Sequence, residues 1–91
     1  MDFDPFGEIA AQQEHLLRQA LSLNTREVEA ILRSRSTDSR RIEHQLDRML
    51  GFCFDADMLL LFRKLCRYYF RIDPAATAFY IQTYREMWDE Q

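Results

Sequence analysis

Residues 55–72 form the longest stretch of this chain in which apolar side chains recur at helical spacing. On a helix that advances about 100° per residue, these side chains fill an arc of roughly 200°. The arc comprises Met58, Leu59, Leu61, Phe62, Leu65, Cys66, Tyr68, Tyr69, Phe70 and Ile72. One neighbouring helix cannot cover an arc of that width. The stretch therefore predicts a central helix that packs against at least two others.

The composition favours helices throughout the chain. Its 91 residues include only two glycines and two prolines, whereas sheets joined by tight turns need more of both. Strong helix formers such as Leu, Ala, Glu, Gln and Arg are abundant instead. A chain of this length can bury enough surface for one core. The sequence therefore predicts an all-α, compact, single-domain bundle covering residues 1–91.

Hydrophobic spacing and capping residues divide the chain into about five helices. These are expected at roughly 7–22, 24–33, 38–50, 55–72 and 74–88, after an irregular N-terminal arm of residues 1–6. Asn24 followed by Glu27 matches the capping box and sets the break between the first two helices. Gly51 is expected to end the third helix in the left-handed conformation. Asp73 and Pro74 have the residue types that begin a helix, as N-cap and first helical residue.

Charge is unevenly distributed along the chain, although the net charge is only −3. Residues 26–71 carry ten cations against seven acids, so the segments on either side of them are acidic. Four of these cations form a row on the polar side of the central helix: Arg63, Lys64, Arg67 and Arg71. We call this row the basic stripe. It is either a solvated face that pairs with the acidic ends of the chain, or a candidate surface for an anion or an acidic partner. Leu60 lies within the row and favours a protein interface over phosphate binding.

A second candidate surface lies on the last helix. Tyr80, Tyr84 and Trp88 recur at helical spacing, and Phe79 falls on another side of the helix. A stripe of this kind packs into a core or forms a recognition surface. Aromatic residues are also enriched in protein interfaces. We therefore take Phe79, Tyr80, Tyr84 and Trp88 as a candidate protein interface, with a homodimer as one form of it.

Catalytic and metal-binding patterns are missing from the sequence. Its two histidines, His15 and His44, have no third ligand at a suitable spacing, and two glycines cannot build a phosphate-binding loop. Two cysteines, Cys53 and Cys66, are too few for a disulfide framework, so we expect reduced and buried thiols. The sequence therefore predicts no catalytic residue, no metal and no cofactor, and a protein that is not an enzyme.

The sequence also bears on localisation. No charged segment leads into a short apolar run at the N-terminus, and no apolar run reaches the roughly 18 residues of a membrane span. We expect a protein of the cytoplasm that has no membrane partner.

Residues 23–32 resemble the opening helix of LuxR-type helix-turn-helix domains, and a second helix is expected after a short polar turn. Such a resemblance implies DNA binding through a polar recognition helix. It covers about ten residues, and the helices expected further on are apolar on one face. No DNA-contacting residue is therefore assigned.

Two functions from different classes follow from these patterns. The first is a non-catalytic protein-interaction or assembly module whose partner is another protein or a second copy of the chain. The alternative is a small DNA-associated regulator that uses the Arg-rich face of the central helix, with nucleic acid as its partner.

Overall fold

Helices make up nearly all of the backbone in a computed structural model that describes residues 5–89, with side chains described for residues 12–89. The elements are α1 (Pro5–Ser34), α2 (Ser39–Leu50), α3 (Ala56–Phe70), α4 (Pro74–Tyr84) and a π-helical segment (Arg85–Asp89). Within these residues there is no β-strand. The prediction of an all-α compact bundle is confirmed, with four α-helices instead of about five.

The helices predicted at roughly 7–22 and 24–33 are one continuous helix, α1. Asn24, which suggested a capped break, lies inside that helix and is buried. Its side-chain amide donates to the backbone carbonyl of Ala20 at 2.6 Å, and its side-chain oxygen accepts a hydrogen bond from Gln45 on α2. The predicted break is wrong because the polar groups that would cap a helix end bond within the helix and across to its neighbour.

The three later helices begin where the sequence predicts. Asp38, Asp55 and Asp73 are their N-caps, and each carboxylate accepts the backbone N–H of the residue three positions further on. Pro74 occupies the first turn of α4, where a missing N–H costs nothing. An aspartate at the positive end of the helix dipole is stabilising, so these starts are fixed by local chemistry.

The predicted end of the central helix, Ile72, lies two residues too far along the chain. α3 ends at Phe70, and the N–H of Ile72 bonds the carbonyl of Tyr69, three residues back, at 2.9 Å. The chain tightens here because Asp73 must turn away to cap α4. Phe70, expected on the buried arc, is exposed, because it lies at the edge of that arc beside Arg63.

Two other helix ends differ from the predictions. Gly51 after α2 has φ −68°, an ordinary right-handed value, so it is not the expected left-handed cap. The left-handed residue is Arg35 after α1, with φ 52°. The last α-helix ends at Tyr84, and residues 85–89 continue it with π geometry up to the region predicted for its end.

The core confirms α3 as the central helix, since it packs against each of the other three α-helices. Its buried side chains meet apolar residues from α1, α2 and α4. The fully buried set includes Val28, Ile31, Ile42, Leu46, Met49, Met58, Leu65 and Tyr69. The wide apolar arc of residues 55–72 is therefore covered by three helices.

The N-terminal arm expected over residues 1–6 overlaps α1, which begins at Pro5. Residues 1–4 lie outside the described residues. Along the described part of the chain, none of the helices combines the length and the apolarity needed to cross a bilayer.

Candidate functional site

The four cations of the basic stripe are all exposed. Arg63, Lys64 and Arg67 lie on α3, and Arg71 follows its last residue. Among residues 12–89, ion pairs join Arg18 to Glu14 at 2.8 Å and Arg41 to Glu27 at 3.7 Å, and none involves the stripe. Leu60, within the same row, is 60% exposed. The stripe is therefore a charged, solvated surface that also carries an apolar side chain.

A groove of about 410 Å³ separates α3 from the C-terminal part of α4 and the π-helical segment. Apolar groups from Leu59, Phe62 and Tyr84 line it, and the charged residues Arg63 and Arg85 border it. Asp89 lines the groove as well, as do Cys66 and Ile81. Arg63 thus belongs to both the basic stripe and this α3–α4 groove. The sequence predicted Arg63 as a surface cation but did not indicate the α3–α4 groove that it borders.

The four predicted interface aromatics do not lie on one surface. Tyr80 is buried in the core, and its hydroxyl donates to the backbone carbonyl of Glu43 at 3.4 Å. Tyr84 packs against the core, with its ring 6.0 Å from that of Phe62. Phe79 is 66% exposed on a different side of α4. Tyr84 alone of these three lines the α3–α4 groove.

Trp88, the fourth aromatic, joins the end of the chain to the end of α2. Its indole N–H donates to the backbone carbonyl of Leu50 at 2.9 Å. Its ring meets the exposed Phe54 edge to face, with centroids 5.7 Å apart. Trp88 is half-buried, and both of these contacts are with its own chain.

The other end of the stripe faces α1. Lys64 lines a shallow depression with Glu29, Leu32 and Arg33 near the C-terminal end of α1. Tyr68, one turn further along α3, donates its hydroxyl to the carbonyl of Ser36 at 2.6 Å. The stripe therefore runs between α1 and α4, across the outward side of α3.

Sequence reasoning missed the contribution of residues beyond the stripe. Arg85 and Asp89 border the groove from the π-helical segment. Ile81, one turn before Arg85, is exposed beside them. The spacing Ile81-Arg85-Asp89, four residues each, was a usable signal for one helix face. What the sequence did not contain was which face of α4 lies next to α3.

The two cysteine thiols are poorly suited to act as nucleophiles. Burial raises the pKa of Cys53 from 9.0 to about 11. Burial and the neighbouring Cys53 raise the pKa of Cys66 to about 12. Both thiols are therefore protonated at neutral pH, whereas the thiolate is the nucleophile. His15 and His44 are exposed, and residues 12–89 contain no group of three His, Cys, Asp or Glu side chains able to hold a metal ion.

A partly buried polar cluster joins three helices around Glu43 of α2. Tyr69 of α3 donates its hydroxyl to the Glu43 carboxylate, and Tyr80 of α4 reaches the Glu43 backbone carbonyl. Burial, followed by the carboxylate of Glu43, raises the pKa of the Tyr69 hydroxyl. Burial and the nearby Asp47 raise that of Tyr80. The cluster stabilises the packing of α3 and α4 against α2, because both tyrosine hydroxyls stay protonated and donate hydrogen bonds to Glu43.

Comparisons with protein-family models, with curated proteins and with solved structures found no match to this chain.

Proposed function

We propose that this protein is a non-catalytic interaction module that binds an acidic, amphipathic segment of a partner protein. The observation that carries the proposal is the basic stripe, whose four exposed cations make no ion pair with any described carboxylate and whose Arg63 lines the α3–α4 groove. Unpaired surface cations raise the local concentration of acidic partners. The cytoplasm is the compartment we propose, because the free thiols Cys53 and Cys66 suit a reducing environment.

The apolar neighbours of the stripe favour a protein segment as the ligand. Leu60 and Ile81 are exposed next to it, and the groove between α3 and α4 has an apolar lining. An amphipathic helix docks by placing its apolar side chains in such a groove, while its charged side chains meet the charged rim. Acidic side chains on the partner would meet Arg63 and Arg67.

Nucleic acid is the competing ligand, and the exposed cations are the observation that favours it. Phosphate binding would use the same four side chains. Against it stand Leu60 in the middle of the row and the apolar side chains of the α3–α4 groove. A phosphate backbone has no apolar group to place against them, whereas an amphipathic protein segment has.

Selection from a random 16-residue peptide library displayed on phage tests the proposal. We expect enriched peptides to combine Asp or Glu with apolar residues at helical spacing. The variant R63E/R67E should bind them about tenfold more weakly or worse, while R40E/R48E, which reverses two exposed charges on α2, should bind as the natural protein does. Enrichment without acidic residues, or equal loss in both variants, contradicts the proposal.

A titration with duplex DNA separates the alternative. DNA binding that weakens steeply as salt is raised, and that R63E/R67E abolishes, would assign the stripe to phosphate. The acidic-segment proposal predicts no such binding at 150 mM salt.

A further inference from the structure

The N-terminal helix has a second apolar side that the rest of the described chain covers only in part. Toward the core, α1 buries Val28 and Ile31 completely. Leu16 and Leu23 point to another side, where they are 61% and 64% exposed. They are seven residues apart, the spacing that keeps two side chains on one side of a helix and that recurs where helices pair.

Two phenylalanines in the turn after α2 extend this apolar side. Phe52 and Phe54 line a depression of about 560 Å³ together with Leu16 and Leu17. On its other side Phe52 borders a second depression, of about 530 Å³, which Ala20 and Leu23 also line. The two depressions follow α1 on either side of Phe52. We call this surface, formed by Leu16, Leu17, Ala20, Leu23, Phe52 and Phe54, the α1 outer face.

The charges near the α1 outer face identify the kind of partner. Between residues 12 and 23 the only acid is Glu14 and the only arginine or lysine is Arg18, and they pair with each other at 2.8 Å. The other polar neighbours on this side, Gln12, Gln13 and Gln19, are uncharged. At one end of the surface, the depression beside Leu23 is also lined by Arg26, Glu27 and Arg48, of which Glu27 pairs with Arg41. The middle of the surface, where like residues would meet across a two-fold axis, has no unpaired charge to repel an identical copy.

We infer that the α1 outer face binds the same face of a second copy of the chain, with the two α1 helices antiparallel. An axis between Gln19 and Ala20 places Leu16 of one copy opposite Leu23 of the other, and does so twice. Ala20 beside the axis is small enough for the two helices to approach closely. The same register brings Arg26 opposite Gln13, whose side-chain oxygen can accept its hydrogen bonds.

This interface is distinct from the surface of the proposed function. The basic stripe and the α3–α4 groove use α3, α4 and the π-helical segment, whereas the α1 outer face uses α1 and the turn after α2. Self-association therefore leaves the proposed peptide surface accessible and gives it two copies per particle. Either proposal can fail while the other holds.

Sedimentation velocity of the full chain, over roughly 5 to 500 μM protein, tests the dimer. The natural protein should sediment as a dimer at the upper concentrations, and L16E/L23E as a monomer, because two carboxylates per copy would be forced together. The control L60E/F79E alters two equally exposed residues elsewhere and should remain dimeric. Circular dichroism should show the same helix content for all three proteins. A natural protein that is monomeric throughout, or a dimer lost only in L60E/F79E, overturns the inference.

Disulfide formation tests the register. L16C and L23C, mixed and oxidised, should give a covalent dimer that contains one copy of each. Either variant alone should stay uncrosslinked, because seven residues of helix separate like positions by about 10 Å along the axis, more than a disulfide spans. Crosslinking of L16C to itself, or none in the mixture, overturns the antiparallel pairing.

Discussion

At the scale of single residues, an asparagine side chain can begin a helix at the surface or bond within a continuous helix when it is buried. Asn24 is a good helix N-cap by residue type, yet in this fold it lies inside α1 and bonds both Ala20 and Gln45. A cap leaves its side chain at the surface, next to unpaired N–H groups. Here the neighbouring helix α2 supplies a buried amide instead, and the helix continues through residue 24.

Asn24→Asp distinguishes these two roles. As an N-cap, Asp is as good as Asn. In the continuous helix, a carboxylate cannot donate to the Ala20 carbonyl and places a charge at a buried position. We therefore expect a loss of about 1–3 kcal/mol in the free energy of unfolding, measured by urea denaturation. The control Ser22→Asp, at an exposed position of the same helix, should change it by less than about 0.5 kcal/mol. An unchanged stability in Asn24→Asp would mean that α1 is broken at this point.

At the scale of elements, local contacts set three helix beginnings and one helix end. Asp38, Asp55 and Asp73 start their helices through contacts with residues three positions away. The end of α1 is also closed locally, by the N–H of Ser36 bonding to the carbonyl of Ile31 at 3.1 Å and that of Arg35 to Leu32 at 3.3 Å. This is the Schellman arrangement, which usually has glycine at its left-handed residue. The chain has Arg35 there and has Gly51 at a right-handed position.

Arg35→Gly should stabilise the protein. A side chain at φ 52° costs about 1–2 kcal/mol, and the added flexibility of glycine in the unfolded chain returns about half of that. We expect a gain of about 0.5–1 kcal/mol in the free energy of unfolding, measured by urea denaturation. Arg33→Gly, inside the helix, is the control and should be destabilising by about 1 kcal/mol.

Gly51→Ala should also stabilise the protein. Gly51 has a φ that alanine adopts freely, and a Cβ added there would meet no atom within 4 Å. Restricting the unfolded chain should therefore raise the free energy of unfolding by about 0.4–1 kcal/mol. A melting temperature below that of the natural protein would contradict the right-handed geometry at this position.

At the scale of the whole molecule, the core holds several groups whose pKa values are higher in the folded protein than in the unfolded chain, chiefly because the groups are buried. Cys53 and Cys66 have pKa values raised to about 11 and about 12, and the pKa values of Tyr69 and Tyr80 are raised as well. In the unfolded chain a thiol loses its proton near pH 9. The unfolded state therefore releases protons first as the pH rises, and this release favours unfolding.

The free energy of unfolding should consequently be unaffected by these groups below about pH 8 and should fall between about pH 9 and pH 12. Urea denaturation followed by circular dichroism at a series of pH values measures it. In the variant C53A/C66A the decline should be shallower and should begin nearer pH 10, where the tyrosines ionise in the unfolded chain. A decline that is the same in both proteins would show that the thiols do not contribute.

The sequence determined the helical content, the aspartate and proline that begin α4 and the choice of residues 55–72 as the central helix. These features depend on contacts within a few residues or on the width of one apolar arc, and both can be read from spacing. The basic stripe was visible for the same reason, since four cations at helical spacing share a face of a helix wherever that helix lies.

Only the tertiary structure decided how the apolar side chains divide between core and surface. Tyr80 and Phe79 are neighbours of similar size, yet one is buried and bonded to α2 while the other is mostly exposed. The same holds for α1, whose Val28 is buried while Leu23 is exposed. Burial requires a partner surface, and that surface comes from residues far away in the chain. Spacing shows which residues share a face, but the packing of α2, α3 and α4 determines which faces remain for other molecules.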